Sequence, residues 1–298
     1  MNRSHAPMWG VLLLAFPLSW ACSGTLQAQT PPPPSQDLRK DAGPKPGAKE
    51  DAEEDFWNRV SLEGGLQLDT GKFGGKAMSA FLSLPVTLGY DHDGVIASVS
   101  VPYVVQRSRG NVIRVGGRVV RVGGTAQRRP KTVGGLGDIL VDAGYYVIDT
   151  QDEHPYLLLD GEIKIPTADD ERALGTGSAD ETIRATTGAT FFNHLKVTAD
   201  LAYQFIGQPE DILSSVTDYH NTINVGGGVG YKFTSANTLW AKFDGSTAIV
   251  SHTPPYELVY FEWDHTFKND SRLLFSVGFG LTKSSPGLSL ELSYLIWF

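Results

Sequence analysis

Charged residues recur at alternate positions in this chain, which is the pattern of side chains that line a polar interior. Each shares one face of an extended segment with other polar residues, while apolar residues occupy the opposite face. Near the middle of their segments lie Glu63, Asp142, Asp160, Glu162, Lys164, Arg184, Asp200, Lys242, Asp244, Glu262 and Glu291. Acids outnumber bases, so we expect a mildly acidic belt that favours cations or neutral polar solutes over anions. The alternative is a closed interior in which acids and bases pair across strands. Our interpretation is a partly plugged, narrow channel.

A basic stretch over residues 107–131 contains no acid. Its charges are Arg107, Arg109, Arg114, Arg118, Arg121, Arg128, Arg129 and Lys131. The central NVIRVGGRVVRVGG predicts a hairpin that turns at Gly116 and Gly117. On an outer surface, the expected partner is lipopolysaccharide phosphate or the acidic loop with Asp169, Asp170 and Glu171, and an anion-gathering funnel is the alternative function. The net charge of −8 argues against nucleic acid as a partner.

The histidines give little support for catalysis. His220 shares a face with Thr222 and Asn224, whereas His92, His154 and His194 fall in or beside short turns without metal-ligand spacing. An outer-membrane lipase on a twelve-stranded barrel would need a serine and a histidine aligned toward lipid near the outer rim, and we identify no such pair. We therefore expect neither enzymatic activity nor a metal or other cofactor.

Alternating segments that position these charges run through most of the chain. Only three Met, 33 Gly and no long helix-forming window favour an all-β fold of short strands and tight turns. The predicted strands are 57–69, 76–90, 94–106, 136–149, 154–166, 180–192, 195–207, 219–233, 236–250, 255–268, 270–282 and 287–298. Each reaches the roughly 9–11 residues that a tilted strand needs to cross a membrane. The predicted fold is a transmembrane antiparallel up-and-down β-barrel of about twelve strands.

The connections between these strands alternate between short and long. Short ones include 91–94, 150–153 and 234–237, and the longest are 107–135 and 167–179. This asymmetry is typical of a transmembrane barrel with short periplasmic turns and both termini in the periplasm. We expect the last strand to pair with the first near Trp57. Its outward Tyr294, Ile296 and Phe298 form a predicted signal for the barrel-assembly machinery.

The N-terminal region differs from the rest in composition. Residues 1–28 combine Arg3, an apolar run from Met8 to Trp20 and small residues up to Ala28, which predicts a secretory signal peptide; lipid attachment at Cys22 is the alternative to cleavage after Ala28. Residues 29–56 are rich in Pro and charge and predict a disordered periplasmic linker. The barrel is then expected to span 57–298.

Four ordered stretches resemble the outer-membrane transporter family named after the meta pathway of phenol degradation. They are GGLGDILVDAGYYV at 134–147, IKIPTADD at 163–170, LGTGSAD at 174–180 and GLTKSSPGLSLELSYLIWF at 280–298. The long basic segment 107–131 and Trp297 depart from the family pattern. The resemblance implies a porin-like barrel in the outer membrane of a Gram-negative bacterium, in contact with lipid and lipopolysaccharide, that takes up small hydrophobic or aromatic molecules. The alternative is a structural or adhesive barrel without a conducting pore.

Overall fold

The computed structural model describes residues 58–108, 112–121, 129–148, 155–208 and 219–298. The predicted signal peptide at 1–28 and linker at 29–56 lie outside the described residues. Within them, the structure is all-β, and no helix is long and apolar enough to cross a membrane.

Strands occupy almost all the positions where the sequence alternates. They are β1 (Val60–Gly71), β2 (Ser79–His92), β3 (Val95–Ser108), β4 (Val112–Val115), β5 (Arg118–Arg121), β6 (Lys131–Leu136), β7 (Ile139–Ile148), β8 (Tyr156–Ile165), β9 (Asp180–Phe191), β10 (Leu195–Phe205), β11 (Thr222–Thr234), β12 (Asn237–Ser246), β13 (Tyr256–Thr266), β14 (Arg272–Gly280) and β15 (Leu288–Trp297). Because β-strands place successive side chains on opposite faces, this alternation gives each strand one polar and one apolar face.

The wall of the fold is one closed antiparallel sheet. Each strand pairs with its neighbour in the chain, and β3 pairs with β6 over Tyr103–Ser108 and with β7 over Val95–Ser100. The β6–β7 interruption at Gly137 is bridged by a 2.8 Å hydrogen bond from its amide to the carbonyl of Pro102. With β6 and β7 counted as one wall strand, the predicted barrel of twelve strands is confirmed.

Closure occurs between β1 and β15, as predicted. Their register runs from Ser61 opposite Trp297 to Thr70 opposite Leu288. The amide of Phe298 donates a 3.2 Å hydrogen bond to the carbonyl of Val60, which extends the pairing to the last residue. Trp57, expected at this seam, lies outside the described residues.

The short connections have the geometry of tight β-turns. Asp93 and Gly94 between β2 and β3 both have positive φ, of 49° and 81°, which a two-residue type I′ turn requires. At the other end of the barrel the connections are longer, as between β8 and β9 and between β12 and β13. The predicted sorting of turns and loops to opposite ends is therefore confirmed.

The outer surface of the barrel is apolar and the inner surface is polar. Large apolar side chains that point away from the barrel include Leu66, Leu88, Val101, Leu159, Ile183, Leu201, Val229, Leu239, Phe261, Phe275 and Leu292. Small polar residues such as Ser83, Ser100 and Ser276 are buried on the inner face. This is the inverse of a soluble protein and is the arrangement of a barrel whose exterior meets lipid.

A separate hairpin, β4–β5, lies within this barrel. It turns at Gly116 and Gly117, whose φ values are 54° and 79°, so the predicted turn is confirmed. Two boundaries differ from prediction for a related reason. The strand predicted at 219–233 begins only at Thr222, and the strand predicted at 236–250 already ends at Ser246. Both are shorter because Tyr219, Ile249 and Val250 leave the wall to pack against the hairpin.

Candidate functional site

The interior of the barrel contains a cavity of about 130 Å³ lined by residues of most wall strands and, toward the long loops, by the hairpin turn. Gly116 and Gly117 of the turn and Arg114 of β4 contribute to its lining. The cavity is therefore the candidate functional site, and the hairpin separates it from the outer end of the barrel.

Several charged side chains in the wall are neutralised by close ion pairs. Lys242 on β12 donates hydrogen bonds of 2.9 and 2.8 Å from Nζ to the two carboxylate oxygens of Glu262 on β13. The same ammonium lies 5.0 Å from the ring centroid of Trp240 and 5.7 Å from that of Tyr260. Such cation–π contacts hold Lys242 at one side of the lumen.

A second ion-pair centre lies near the outer ends of β8 and β9. Lys164 Nζ is 2.7 Å from Asp180 Oδ2 and 3.6 Å from Asp138 Oδ2, and it donates a 3.1 Å hydrogen bond to Thr176 Oγ1. Asp138 also accepts a 3.0 Å hydrogen bond from the amide of Ala168. This centre ties the β6–β7 junction to the β8–β9 loop.

A third centre is formed by Arg184 on β9. Its Nε is 3.1 Å from Oδ2 of Asp160 on β8, and its charge also interacts with Asp142 and Asp200 on the flanking strands. More carboxylates than cations are gathered at this position. The wall thus contains the cross-strand pairing that we considered as an alternative, together with an excess of acid.

The hairpin is anchored in the barrel by apolar contacts. Ile113 and Val115 pack with Ile206, Ile249 and Val250 from the long loops. On its other face, Val112 and Val119 pack with Phe73 and Phe81 from β2 and the β1–β2 loop. Ile113 is only 1% exposed, so the hairpin is held in the lumen by a buried apolar core.

Two arginines fix the hairpin to the wall. Arg118 Nη2 donates a 2.7 Å hydrogen bond to Asn224 Oδ1 on β11, and its guanidinium lies 5.4 Å from the ring centroid of Tyr256. Arg114 Nη2 lies 3.7 Å from Asp69 Oδ2 on β1. Burial lowers the pKa of Arg118 to about 9, which leaves the side chain charged at neutral pH.

These contacts correct the expected role of two residues in the basic segment. We expected Arg114 and Arg118 on the outer surface, facing lipopolysaccharide or the acidic loop, but the apolar side chains beside them draw the hairpin into the lumen. Arg118 is 4% exposed there. Asp169 of the acidic loop instead lies 3.8 Å from Arg172 in its own loop.

Other basic residues of the segment are placed differently. Arg107, Arg129 and Lys131 are exposed near the outer end of the barrel. Arg109 and Arg128 lie outside the described residues, as does the side chain of Arg121. Exposed positive charge therefore remains at this end.

All the charged residues predicted for the lumen lie on inward positions of the wall. Those that line the cavity are Glu63, Glu162, Lys164, Lys242, Glu262 and Glu291, whereas Asp142, Asp160, Arg184, Asp200 and Asp244 lie outside its lining. We did not select Asp69, Asp138, Asp180, Asp264 and Arg272, although Arg272 lines the cavity and pairs with Asp264. Their positions in the alternation already indicated the inward face of the barrel. We left them out because we chose only charged residues near the middle of each predicted strand.

The structure places one serine beside a histidine that we did not pair. His220 Nε2 is 2.6 Å from Ser251 Oγ, and both residues are exposed on long loops. Among the described contacts, no carboxylate or amide orients the other ring nitrogen of His220, and an activated serine requires such a group. In the described ranges, no group of three or more His, Cys, Asp or Glu has an arrangement suited to a metal ion.

Comparison with known proteins identifies a family and a fold. Residues 58–240 match the family described as "Putative MetA-pathway of phenol degradation". The fold is similar to that of an outer membrane channel from Pseudomonas putida F1, with a TM-score of 0.64 and 14% identity over 80% of this chain and 95% of that chain. It is also similar to the translocator domain of the autotransporter NalP from Neisseria meningitidis, with a TM-score of 0.50 and 11% identity over 89% and 92% of the two chains. No curated relative matches. At these identities, the structural likenesses establish the fold alone.

Proposed function

The chain belongs to the family described as the putative MetA-pathway of phenol degradation, and we propose that it is an outer-membrane channel for the uptake of small hydrophobic or aromatic molecules. The observation that carries this proposal is the cavity inside a closed barrel, with one inward-folded hairpin between it and the outer end. The P. putida channel with the same fold is described as an outer membrane channel, which supports the same reading.

The surface and the connections of the barrel indicate its orientation in the outer membrane. Its apolar exterior suits a lipid bilayer, and its short turns and both ends of the wall face one side, which in such barrels is the periplasm. The long loops then face outward, where exposed Arg107, Arg129 and Lys131 suit lipopolysaccharide phosphate. The protein resides in the outer membrane of a Gram-negative bacterium.

The size of the cavity suits a single aromatic ring. Its volume is about 130 Å³, and a cavity of roughly 150 Å³ in another protein binds benzene. Part of the lining is apolar, including Pro85, Pro102 and Leu140. Shape and surface therefore favour one monocyclic molecule at a time over a continuous water column.

The hairpin acts as the gate of this channel. Its docked position closes the outer side of the cavity through the apolar contacts of Ile113 and Val115 and the polar contacts of Arg114 and Arg118. A solute enters when these contacts open. Conductance at rest is accordingly small, and it rises when the docking is weakened.

A second candidate is a structural or adhesive barrel without a conducting pore. The observation that favours it is the same docked hairpin, since a permanently docked hairpin would close the lumen. The two candidates differ in whether the hairpin leaves its position while the barrel is folded.

Uptake by intact cells tests the proposed function, because phospholipid vesicles alone pass neutral aromatics. Cells that express the chain should accumulate radiolabelled benzyl alcohol faster than cells without it. Cells with Val112–Arg121 replaced by a short Gly-Ser link should do so faster still. Equal initial rates in all three, with the barrel folded in the outer membrane, would leave the structural or adhesive role.

A further inference from the structure

The charges that line the cavity are not balanced. Six carboxylates and four basic side chains contribute to its lining. Every one of these basic side chains already has a carboxylate partner: Arg114 with Asp69, Lys164 with Asp180, Lys242 with Glu262 and Arg272 with Asp264. Each positive charge in the lining is therefore already paired with a carboxylate.

Two of the carboxylates, Glu63 on β1 and Glu291 on β15, have hydroxyl groups as neighbours in place of cations. Glu63 accepts a hydrogen bond from Ser293, and Ser276 Oγ donates a 3.5 Å hydrogen bond to Oε2 of Glu291. Within the described ranges, neither carboxylate has a basic side chain at ion-pair distance. Arg272 attracts Glu63 from farther away, but its guanidinium is paired with Asp264. Lys242 attracts Glu291 in the same way, but both oxygens of Glu262 hold its ammonium.

An apolar wall lies beside these carboxylates. Pro85 and Pro102 are directly opposite each other on β2 and β3, and both line the cavity with Val104 and Leu140. This wall is rigid, because proline rings have little conformational freedom. It presents a flat apolar surface suited to an aromatic ring.

Gly65 joins the apolar wall to the carboxylates. It is the next inward position after Glu63, and a Cβ built on it would lie 3.0 Å from Cγ of Pro85 and 3.8 Å from Cβ of Ser293. The proline wall and the serine that contacts Glu63 are thus separated by about one side chain. A molecule in this part of the cavity touches both surfaces at once.

From this arrangement we propose that the cavity is a binding site for protonated aromatic amines, with the ammonium at Glu63, the ring against Pro85 and Pro102, and Glu291 attracting the same charge from four register positions along the β1–β15 pair. The inference rests on the proposed channel function and names a substrate class for it. An ammonium supplies the charge-assisted hydrogen bond that Glu63 lacks, and its charge is also attracted by Glu291. An aromatic carboxylate of the same size is repelled.

Calorimetric titration of the purified full-length chain in detergent, at neutral pH, tests this inference with three probes that share one ring: benzylammonium, benzyl alcohol and benzoate. The natural chain should bind benzylammonium at least about tenfold more tightly than benzyl alcohol, since each charged hydrogen bond is worth about that factor or more. Benzoate should not bind measurably.

Glu63→Gln and Glu291→Gln, singly and together, remove charge while keeping side-chain shape. The double variant should bind benzylammonium and benzyl alcohol equally, and each single variant should fall between. Glu171→Gln, the same change on an exposed loop residue, should retain the full preference. Heat-modifiable gel mobility checks that each variant is folded.

The inference is overturned if the natural chain binds benzylammonium and benzyl alcohol equally, or if the folded double or single glutamine variants retain the full preference for benzylammonium. These outcomes can be distinguished from a failure of the proposed channel function. If cells take up benzyl alcohol as proposed but the purified chain shows no preference for benzylammonium, the inference is rejected and the channel function stands. Glutamate-dependent amine binding without uptake of any probe rejects the channel and leaves the binding site.

Discussion

Arg118 on β5 donates a 2.7 Å hydrogen bond from Nη2 to Oδ1 of Asn224 on β11. The two residues are 106 positions apart, and their contact joins the hairpin inside the lumen to the far wall of the barrel. Asn224 also accepts a 3.1 Å hydrogen bond from the hydroxyl of Thr222, so its carbonyl is oriented toward the hairpin. In the proposed gate, this hydrogen bond is one of the contacts that favour the docked hairpin.

Arg118→Leu should open the channel more often. It removes a buried charged hydrogen bond, worth about 1.5–3 kcal/mol, from the docked state only. The ratio of open to closed time in single-channel recordings should therefore rise by roughly tenfold or more. Arg129→Leu changes an exposed arginine of the same segment and should leave the ratio unchanged. Identical recordings from both variants would show that Arg118 does not contribute to gating.

Phe261→Arg should destabilise the barrel through contact with lipid. Phe261 points outward from the middle of β13, where an arginine in the bilayer costs about 2–4 kcal/mol. Phe233→Arg places the same side chain near the periplasmic end of β11, where the cost falls to about 0–1 kcal/mol. Unfolding by guanidinium in lipid vesicles measures both. Equal losses of stability would contradict the assigned orientation in the membrane.

Lys164→Met should weaken the outer half of the barrel. The change leaves buried Asp180 and its neighbour Asp138 without a cation, and breaking a buried pair from one side typically costs about 3–5 kcal/mol. The temperature at which the folded band disappears on gels should fall. Lys131→Met, an exposed residue, serves as the matched control. A Lys164 variant as heat-resistant as the control would show that this pair contributes little.

Deletion of Phe298 should reduce the amount of barrel in the membrane more than its conductance. The residue ends the seam strand, exposes an aromatic side chain outward and donates its amide to Val60. With Tyr294 and Ile296 it forms the proposed assembly signal. Membrane levels measured by quantitative blotting should recover in Phe298→Tyr, which keeps the aromatic ring. Normal levels in the deletion variant would argue against this role.

The wall of the barrel could be predicted because each strand and each tight turn is specified by residues within that same segment. A strand such as β15 shows its two faces in its own alternation, and a turn such as Asp93-Gly94 shows its positive φ in its residue types. The same holds for the hairpin turn at Gly116-Gly117. These features do not depend on what the segment later contacts.

The docking of the hairpin could not be predicted in this way. Ile113 and Val115 look the same in sequence whether they face solvent or the lumen, and their burial depends on Ile206 and Val250 from distant loops. The ion pairs of the lumen have the same origin. The inward fold of the hairpin brings Arg114 beside Asp69, whereas counting along single strands placed Asp69 outside the belt.

Single-channel conductance in planar bilayers tests the central claim most directly, with the natural chain compared with the variant in which a Gly-Ser link replaces Val112–Arg121. A channel gated by the hairpin predicts small, intermittent conductance for the natural chain and larger, steady conductance for the variant. Absence of conductance in both, from protein with the heat-modifiable mobility of a folded barrel, would contradict it.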